Sequence, residues 1–255
     1  MSSPWFRSFR PSPAATSRLV CFPHAGGAAS FFGSWAKALP PEIDLKAVQY
    51  PGREDRINEP FVRDLNALAL DIARAVPPLL ELPTAFFGHS MGAAVACAVA
   101  RCLQSNDTAP VSRLFVSGQP APHRCHPPTD LHLRGDEALL AEIARLGLGW
   151  DVISAYPELR QLVLPIVRAD YALAEKHRAG TEPLLRCPIT ALLGDSDGEA
   201  NASEMLAWQD CTSASFELRV FDGGHFYLTE QREELTDVIS QHMRVLKLPD
   251  CWAPA

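Results

Sequence analysis

The feature that most restricts the fold is the serine of Gly88-His89-Ser90-Met91-Gly92. It stands between an apolar run, Pro83 to Phe87 (PTAFF), and a stretch of small residues with helical spacing, Met91 to Leu103 (MGAAVACAVARCL). A G-x-S-x-G step from strand to helix holds its serine on a sharp, strained turn and lifts the hydroxyl above a sheet. The glycines are needed because side chains there would collide with neighbouring backbone. A chain built around such a step needs a buried strand, a helix that packs back onto it, and further strands on either side. His89, the serine's neighbour, points away across the turn and reads as structural.

The rest of the sequence supplies those strands. Arg18 to Phe22 (RLVCF), Asp44 to Gln49 (DLKAVQ), Arg113 to Ser117 (RLFVS), Cys187 to Leu193 (CPITALL) and Phe216 to Phe221 (FELRVF) are short apolar runs of strand length. Helical patterns separate them near Ala29 to Leu39 and Phe61 to Val76, and a C-terminal helix is expected to begin near Thr229, with Thr229 as its N-cap. Strands alternating with helices imply right-handed crossovers and a mostly parallel sheet covered on both faces, an α/β chain. With 255 residues, 47% of them hydrophobic, there is enough apolar material for that core. Residues 1 to 17 are polar and proline-rich and are expected to form an irregular arm.

The rhythm breaks between about residues 120 and 186. This stretch opens with Pro120, Pro122, Pro127 and Pro128 and then shows helical patterns at Asp136 to Leu146 and Glu158 to Ala174, with no convincing strand. The expected organisation is one domain: a core of about residues 18–119 and 187–255, and a helical lid of about 120–186 over the carboxyl edge of the sheet, where open α/β sheets bind ligands. Leu139, Ile143, Leu162, Ile166 and Leu173 are the apolar residues expected to wall a chamber beneath it.

A hydroxyl nucleophile needs a base, and the base an orienting carboxylate. In hydrolases with this serine turn the chain order is Ser, then Asp or Glu, then His. Asp197, in Gly194-Asp195-Ser196-Asp197, follows the strand CPITALL, and His225, in Gly223-Gly224-His225-Phe226, follows FELRVF. Both fall at carboxyl ends of strands, on the edge that carries Ser90. Asp195 competes with Asp197, but a turn starting at Gly194 would use Asp195 as a capping side chain. His123, His126, His132 and His177 fall in the insertion, and His242 is expected to face out of the last helix. The oxyanion donors expected for acyl chemistry are the N–H of Met91, directly after the nucleophile, and the N–H of Ala25 in the loop Pro23-His24-Ala25-Gly26-Gly27.

LVCFPHAGGAASFFGSW, VQYPGREDR, FFGHSMGA, LPIVRADYAL and the late GDSD and GGHF, in this order, resemble the type II thioesterases, the stand-alone editing enzymes of polyketide and nonribosomal peptide synthesis. The resemblance runs from about Arg18 to the C-terminal helix. It implies an α/β-hydrolase fold and hydrolysis of acyl groups from the phosphopantetheine arm of acyl or peptidyl carrier proteins. Carried over, it makes Ser90 the nucleophile, Asp197 the acid, His225 the base, and Met91 and Ala25 the oxyanion donors. It also implies no cofactor of the enzyme's own and a monomer partnered by a carrier protein. The departures are Gly198-Glu199-Ala200 after the acid, where relatives often carry a hydrophobic residue or proline, and a lid rich in His and Pro at PHRCHPPTDLHLRG. Arg53 and Arg56 read equally well as contacts to an acidic carrier and as props for their own loop.

The same triad could serve a small-molecule carboxylesterase, and a non-catalytic ligand-binding homologue is a third class. The HAGG and PGR context favours the thioesterase over the esterase, and the intact Ser, Asp and His in order disfavour the non-catalytic homologue. A net charge of −7 leaves no footprint for nucleic acid or an anionic membrane. The first ten residues lack an apolar segment of the signal-peptide kind, and nowhere do ~18 apolar residues run together, so a cytoplasmic protein is expected. The seven cysteines include no CxxC and mostly sit in apolar runs, as reduced, packed thiols do, and no metal site is expected.

Overall fold

Side-chain alternation along the strands decides the layering. In β2 (Ser17–Phe22) Leu19 and Cys21 point to one face, Val20 and Phe22 to the other, and all four are fully buried. β4 (Thr84–His89) repeats this with Ala85 and Phe87 against Phe86. Strands apolar on both faces need helices on both, as parallel sheets do. The computed structural model describes residues 3–106, 111–147 and 149–246. Its seven-stranded sheet runs β1 (Phe6–Arg7), β3 (Ile43–Val48), β2, β4, β5 (Arg113–Ser117), β6 (Ile189–Gly194), β7 (Phe216–Phe221), all parallel except β1. On one face α2 (Leu65–Ala75) and α3 (Met91–Ser105) cover Val20, Phe22, Phe86 and Val116. On the other, Trp35 of α1 (Trp35–Ala38) and Leu235 and Ile239 of the C-terminal helix cover Leu19, Cys21, Phe87 and Phe115.

Three local expectations need correcting. The N-terminal arm is not wholly irregular, since Phe6 and Arg7 pair antiparallel with Val48 and Ala47. Trp5 and Phe6 pack on the core, and Gln49 N–H donates to Trp5 O at 2.8 Å. Aromatic burial supplies the edge strand that a proline-rich composition conceals. The segment from Ala29 is a short 3₁₀ turn followed by the single-turn α1, and α2 starts at Leu65 because Asp64 caps it, accepting from Ala67 N–H at 2.8 Å. Thr229 is no N-cap. It lies inside a one-turn helix, α8 (Tyr227–Glu230), and its hydroxyl bonds back to Phe226 O, while the long final helix, α9, spans Arg232–Arg244.

Between β5 and β6 the described residues form no strand. They hold α4 (Asp136–Leu146), α5 (Trp150–Ala155) and α6 (Pro157–Lys176). Leu139 and Leu140 of α4 meet Leu164 and Val167 of α6 in a small core of their own, with Leu131. Beyond β6, α7 (Ala202–Leu206) opens with a capping box in which Asn201 and Glu204 bond each other's backbone N–H. Cys21, Cys97, Cys187 and Cys211 are buried free thiols, Cys102 is half-buried and Cys125 exposed, while Cys251 lies outside the described residues. No helix among the described residues is long and apolar enough to cross a membrane.

The serine turn rests on a backbone crossing. A Cβ on Gly92 would sit 2.1 Å from Phe22 O, and one on Gly88 2.2 Å from Gly92 O, so α3 can approach β2 and β4 only through bare glycines. Gly92→Ala is expected to cost about 3 kcal/mol and lower Tm by ~6–12 °C. Gly135→Ala, whose Cβ would meet nothing within 4 Å, should change Tm by less than ~2 °C. Thermal melts of the two variants check this.

Candidate active site

Ser90 carries φ +53 and ψ −127, a backbone state that L-residues avoid. Its N–H donates to Ser117 O at 2.8 Å and its carbonyl accepts from Ala93 N–H at 2.8 Å, so β5 and the first turn of α3 clamp it from both sides. α3 begins directly after Ser90, so Met91 N–H is the first amide of a helix whose dipole favours negative charge at that end.

Asp197 and His225 come together on the same edge. Both Asp197 carboxylate oxygens lie 3.0 Å from His225 Nδ1, and Asp197 Oδ1 also accepts from Glu199 N–H at 2.8 Å. The carboxylate side chain is fully buried and the imidazole nearly so. Nδ1 faces the carboxylate, and Nε2 is the ring nitrogen that Asp197 does not engage. Asp195 takes the turn role, its Oδ1 accepting from Gly223 N–H at 3.0 Å. No hydrogen bond among the described residues joins Ser90 Oγ to His225, a contact that often tightens only when substrate binds. Gly118, which closes β5 at φ +56, was not singled out from the sequence. A Cβ there would stand 2.9 Å from His89, 3.1 Å from Asp197 and 3.2 Å from His225, so the end of β4 and the loops after β6 and β7 converge over it. Glycine after RLFVS was the available signal.

His89 lies against His225, and His24 lies beyond it. The His89 ring is 4.7 Å from that of His225, and its Nδ1 is held at 2.9 Å by Ser117 Oγ, itself 2.8 Å from Tyr227 OH. His24 lies 6.1 Å from His89, edge-on to Phe31 and Phe226. Burial, reinforced by His225 and Arg53, pushes His24 down to about 3, and burial also holds His89 well below the usual histidine value. Both rings therefore stay neutral at pH 7. His123, His126 and His132 each face a carboxylate, of Asp210, Glu204 and Glu175 respectively. His242 does not face out: it is half-buried, 5.8 Å from the Phe115 ring and paired with Glu217 at 3.3 Å.

Ala25 sits in a loop fastened from two directions. Gly26 N–H donates to Asp170 Oδ2 at 2.8 Å, from α6, and Gly27 O accepts from Arg53 at 2.8 Å. Arg53 and Asp170 form a buried two-point ion pair at 2.6 and 2.7 Å. Arg56 is buried too, over the Trp5 ring and bonded to Gln49 O. The two arginines thus prop their own loops and are unavailable to a docking partner.

A cavity of about 230 Å³ opens beside Ala25 and Gly26, walled by Ile143, Val163, Val167, Tyr171 and Phe226 among others. Of the wall residues expected, Ile143 is present. Leu139 is spent on the α4–α6 contact, Leu162 is exposed, Leu173 joins the main core, and Ile166, though buried, does not reach the cavity. The strongest apolar stripes of α4 and α6 seal against each other, and the flanking positions line the cavity. Among the described residues no group of His, Cys, Asp or Glu could hold a metal ion.

The sequence model of the Thioesterase domain matches residues 17–243. The chain belongs to the thioesterase family. This thioesterase is 42% identical over 244 residues to the thioesterase PikA5 of Streptomyces venezuelae, an alignment covering 95% of this chain and 86% of the relative. It is 32% identical over 245 residues to the gramicidin S biosynthesis protein GrsT of Aneurinibacillus migulanus, covering 96% of each. Among solved structures, the type II thioesterase BorB from the borrelidin biosynthetic cluster superposes with a TM-score of 0.85 at 40% identity, over 96% of this chain and 99% of that one. The resemblance seen in the motifs is therefore real along nearly the whole chain, and the architecture is that of the α/β-hydrolases.

Two outcomes follow from this site. Asp197→Asn should lower kcat by ~10⁴-fold, as loss of the orienting carboxylate does elsewhere, and Asp195→Asn by less than ~10-fold; steady-state thioester hydrolysis checks both. The folded-state pKa of His24 lies below its unfolded value of about 6.5, so its contribution to stability is complete above pH 6.5 and declines as pH falls from there toward 3. The slope is about 1.4 kcal/mol per pH unit for one such group. Urea unfolding at pH 7 and pH 5 should show that loss, and His24→Gln should make it shallower.

Proposed function

We propose that the protein is a type II thioesterase that hydrolyses acyl groups from the phosphopantetheine arm of acyl or peptidyl carrier proteins, releasing stalled or wrongly primed chains in polyketide or nonribosomal peptide synthesis. The observation that carries this reading is the buried Asp197–His225 pair on the same sheet edge as a serine in a strained strand-to-helix turn, beside an apolar cavity.

The chemistry follows from the atoms. His225 Nε2 takes the Ser90 proton as Oγ attacks the thioester carbonyl, and Asp197 stabilises the imidazolium that results. Met91 and Ala25 N–H groups receive the oxyanion. Collapse breaks the C–S bond, His225 returns the proton to the thiolate leaving group, and the acyl chain stays on Ser90. Water, deprotonated by His225, then attacks the ester, releasing a carboxylic acid and restoring the hydroxyl. No cofactor of the enzyme's own is required, since the carrier brings the phosphopantetheine. The segment 120–186 acts as a lid over the acyl chamber. We assign a cytoplasmic, monomeric enzyme whose partner is the loaded carrier.

Ser90→Ala should lose at least ~10⁴-fold in turnover while keeping the wild-type Tm. Wild type incubated with acyl-loaded carrier proteins should release free carrier and show a transient acyl adduct on Ser90 by intact-protein mass spectrometry. Retention of more than a tenth of the activity by the alanine variant would overturn the assignment.

A further inference from the structure

The helix that walls the cavity also holds the loop that carries the oxyanion donor. Val167 and Tyr171 of α6 line the cavity, and Asp170 lies on the same helix three residues after one and directly before the other. Residues three apart share a helix face, so the wall and Asp170 move as one body. α6 meets the loop at the same residue twice. Val167 packs so closely on Gly26 that a Cβ there would lie 2.8 Å from Val167 Cγ2, and Asp170 Oδ2 accepts the Gly26 N–H at 2.8 Å. Arg53 closes the circuit by gripping both Asp170 oxygens and Gly27 O. Ala25 is the residue directly before this doubly fixed point.

We propose that Asp170, braced by Arg53, is a positioning residue that couples filling of the acyl chamber to placement of the oxyanion loop, so that acyl-chain length is read in kcat and not only in KM. The inference rests on the thioesterase reading above. An acyl chain that fills the cavity presses on Val163, Val167 and Tyr171. Through Asp170 that contact sets where the peptide next to Ala25 N–H stands. Binding energy from a remote, unreacting part of the substrate is thereby used in the transition state, where it raises kcat. A short chain leaves the wall unsupported and the donor less well aimed, and a misplacement on the order of 1 Å near reacting atoms can cost ~10²-fold.

The test uses N-acetylcysteamine thioesters from acetyl to octanoyl. Wild-type kcat should rise with chain length until the chamber is full. Asp170→Asn breaks the ion pair, and the double variant R53M/D170L removes both charges together, which avoids stranding one in the interior. In both, kcat with the longest chains should fall by ~10–100-fold, KM should stay within about threefold, and the dependence of kcat on chain length should flatten. Wild-type kcat at every length, or a loss confined to KM, would overturn the proposal.

If both variants melt below the assay temperature, the wild type alone decides. Labelled on Ser90 with a methyl or a hexyl fluorophosphonate, it places the same oxygen in the oxyanion site but fills the chamber only with the longer chain. Gly26 and Gly27 amides should exchange at least tenfold more slowly with hexyl, and equal rates would sink the coupling. Failure of the wild type to release thiol from any thioester, or to be labelled, would instead defeat the thioesterase reading.

Discussion

Ser90 sits in a conformation that costs about 1–3 kcal/mol relative to ordinary backbone, and such a residue persists only where its surroundings leave it no alternative. Here the surroundings are backbone on every side. α3 lies against β2 with Gly92 at Phe22 O, β4 lies under α3 with Gly88 at Gly92 O, and β5 holds the Ser90 N–H through Ser117 O. Those contacts also set the start of α3, hence where Met91 N–H points, and they bring Gly118 and the loop after β5 under the converging His89, Asp197 and His225. The geometry of the serine turn follows from close packing of three central strands and one helix.

Electrostatics then divides the labour among residues of the same type. His24, His89 and His225 lie in a row, yet burial keeps the first two neutral and without charged partners, while His225 faces a buried carboxylate. On the proposed mechanism, the positive charge created when Ser90 gives up its proton is met at one ring, by Asp197, and a second cation beside it is excluded. A neutral His89 fixed by Ser117 and Tyr227 supplies shape at no cost in like-charge repulsion. Sequence adjacency to the nucleophile makes His89 conspicuous, but desolvation gives it a different role.

The parts of the molecule governed by local rules were legible in the sequence. Strand–turn–helix around Ser90, the alternation of apolar runs, and the chain order Ser, Asp, His follow from residues close in sequence, and Asp197 rather than Asp195 followed from reach along the loop. What stayed hidden depends on long-range pairing. Nothing near Arg53 announces Asp170, 117 positions away, and the even choice between docking and loop support was resolved only by finding the guanidinium buried against that carboxylate. Four of the five expected wall residues miss the cavity for a related reason. Helical periodicity identifies which faces are apolar but not which face meets which, and Leu139 and Leu164 are consumed by the α4–α6 contact before the cavity is reached. Phe6 and Arg7 form an edge strand only because Trp5 and Phe6 find a core to cover.

The helical segment between β5 and β6 is tied to the loop after β6 and to the loop after β2, with unequal strength. At the loop after β6, Arg145 of α4 pairs with Glu142 and with Glu199, two residues beyond the acid, and all three groups are partly in water. Pairs of that kind are screened and contribute about 0–1 kcal/mol. At the loop after β2, by contrast, parting Asp170 from Arg53 leaves a charge stranded in the interior, which costs about 3–5 kcal/mol. Parting Arg145 from Glu199 is therefore cheap and parting Asp170 from Arg53 is not, while Leu139 and Leu140 keep α4 packed on α6. The cavity wall draws on both helices: Ile143 and Leu146 come from α4, and Val163, Val167 and Tyr171 from α6, which is anchored at the loop after β2.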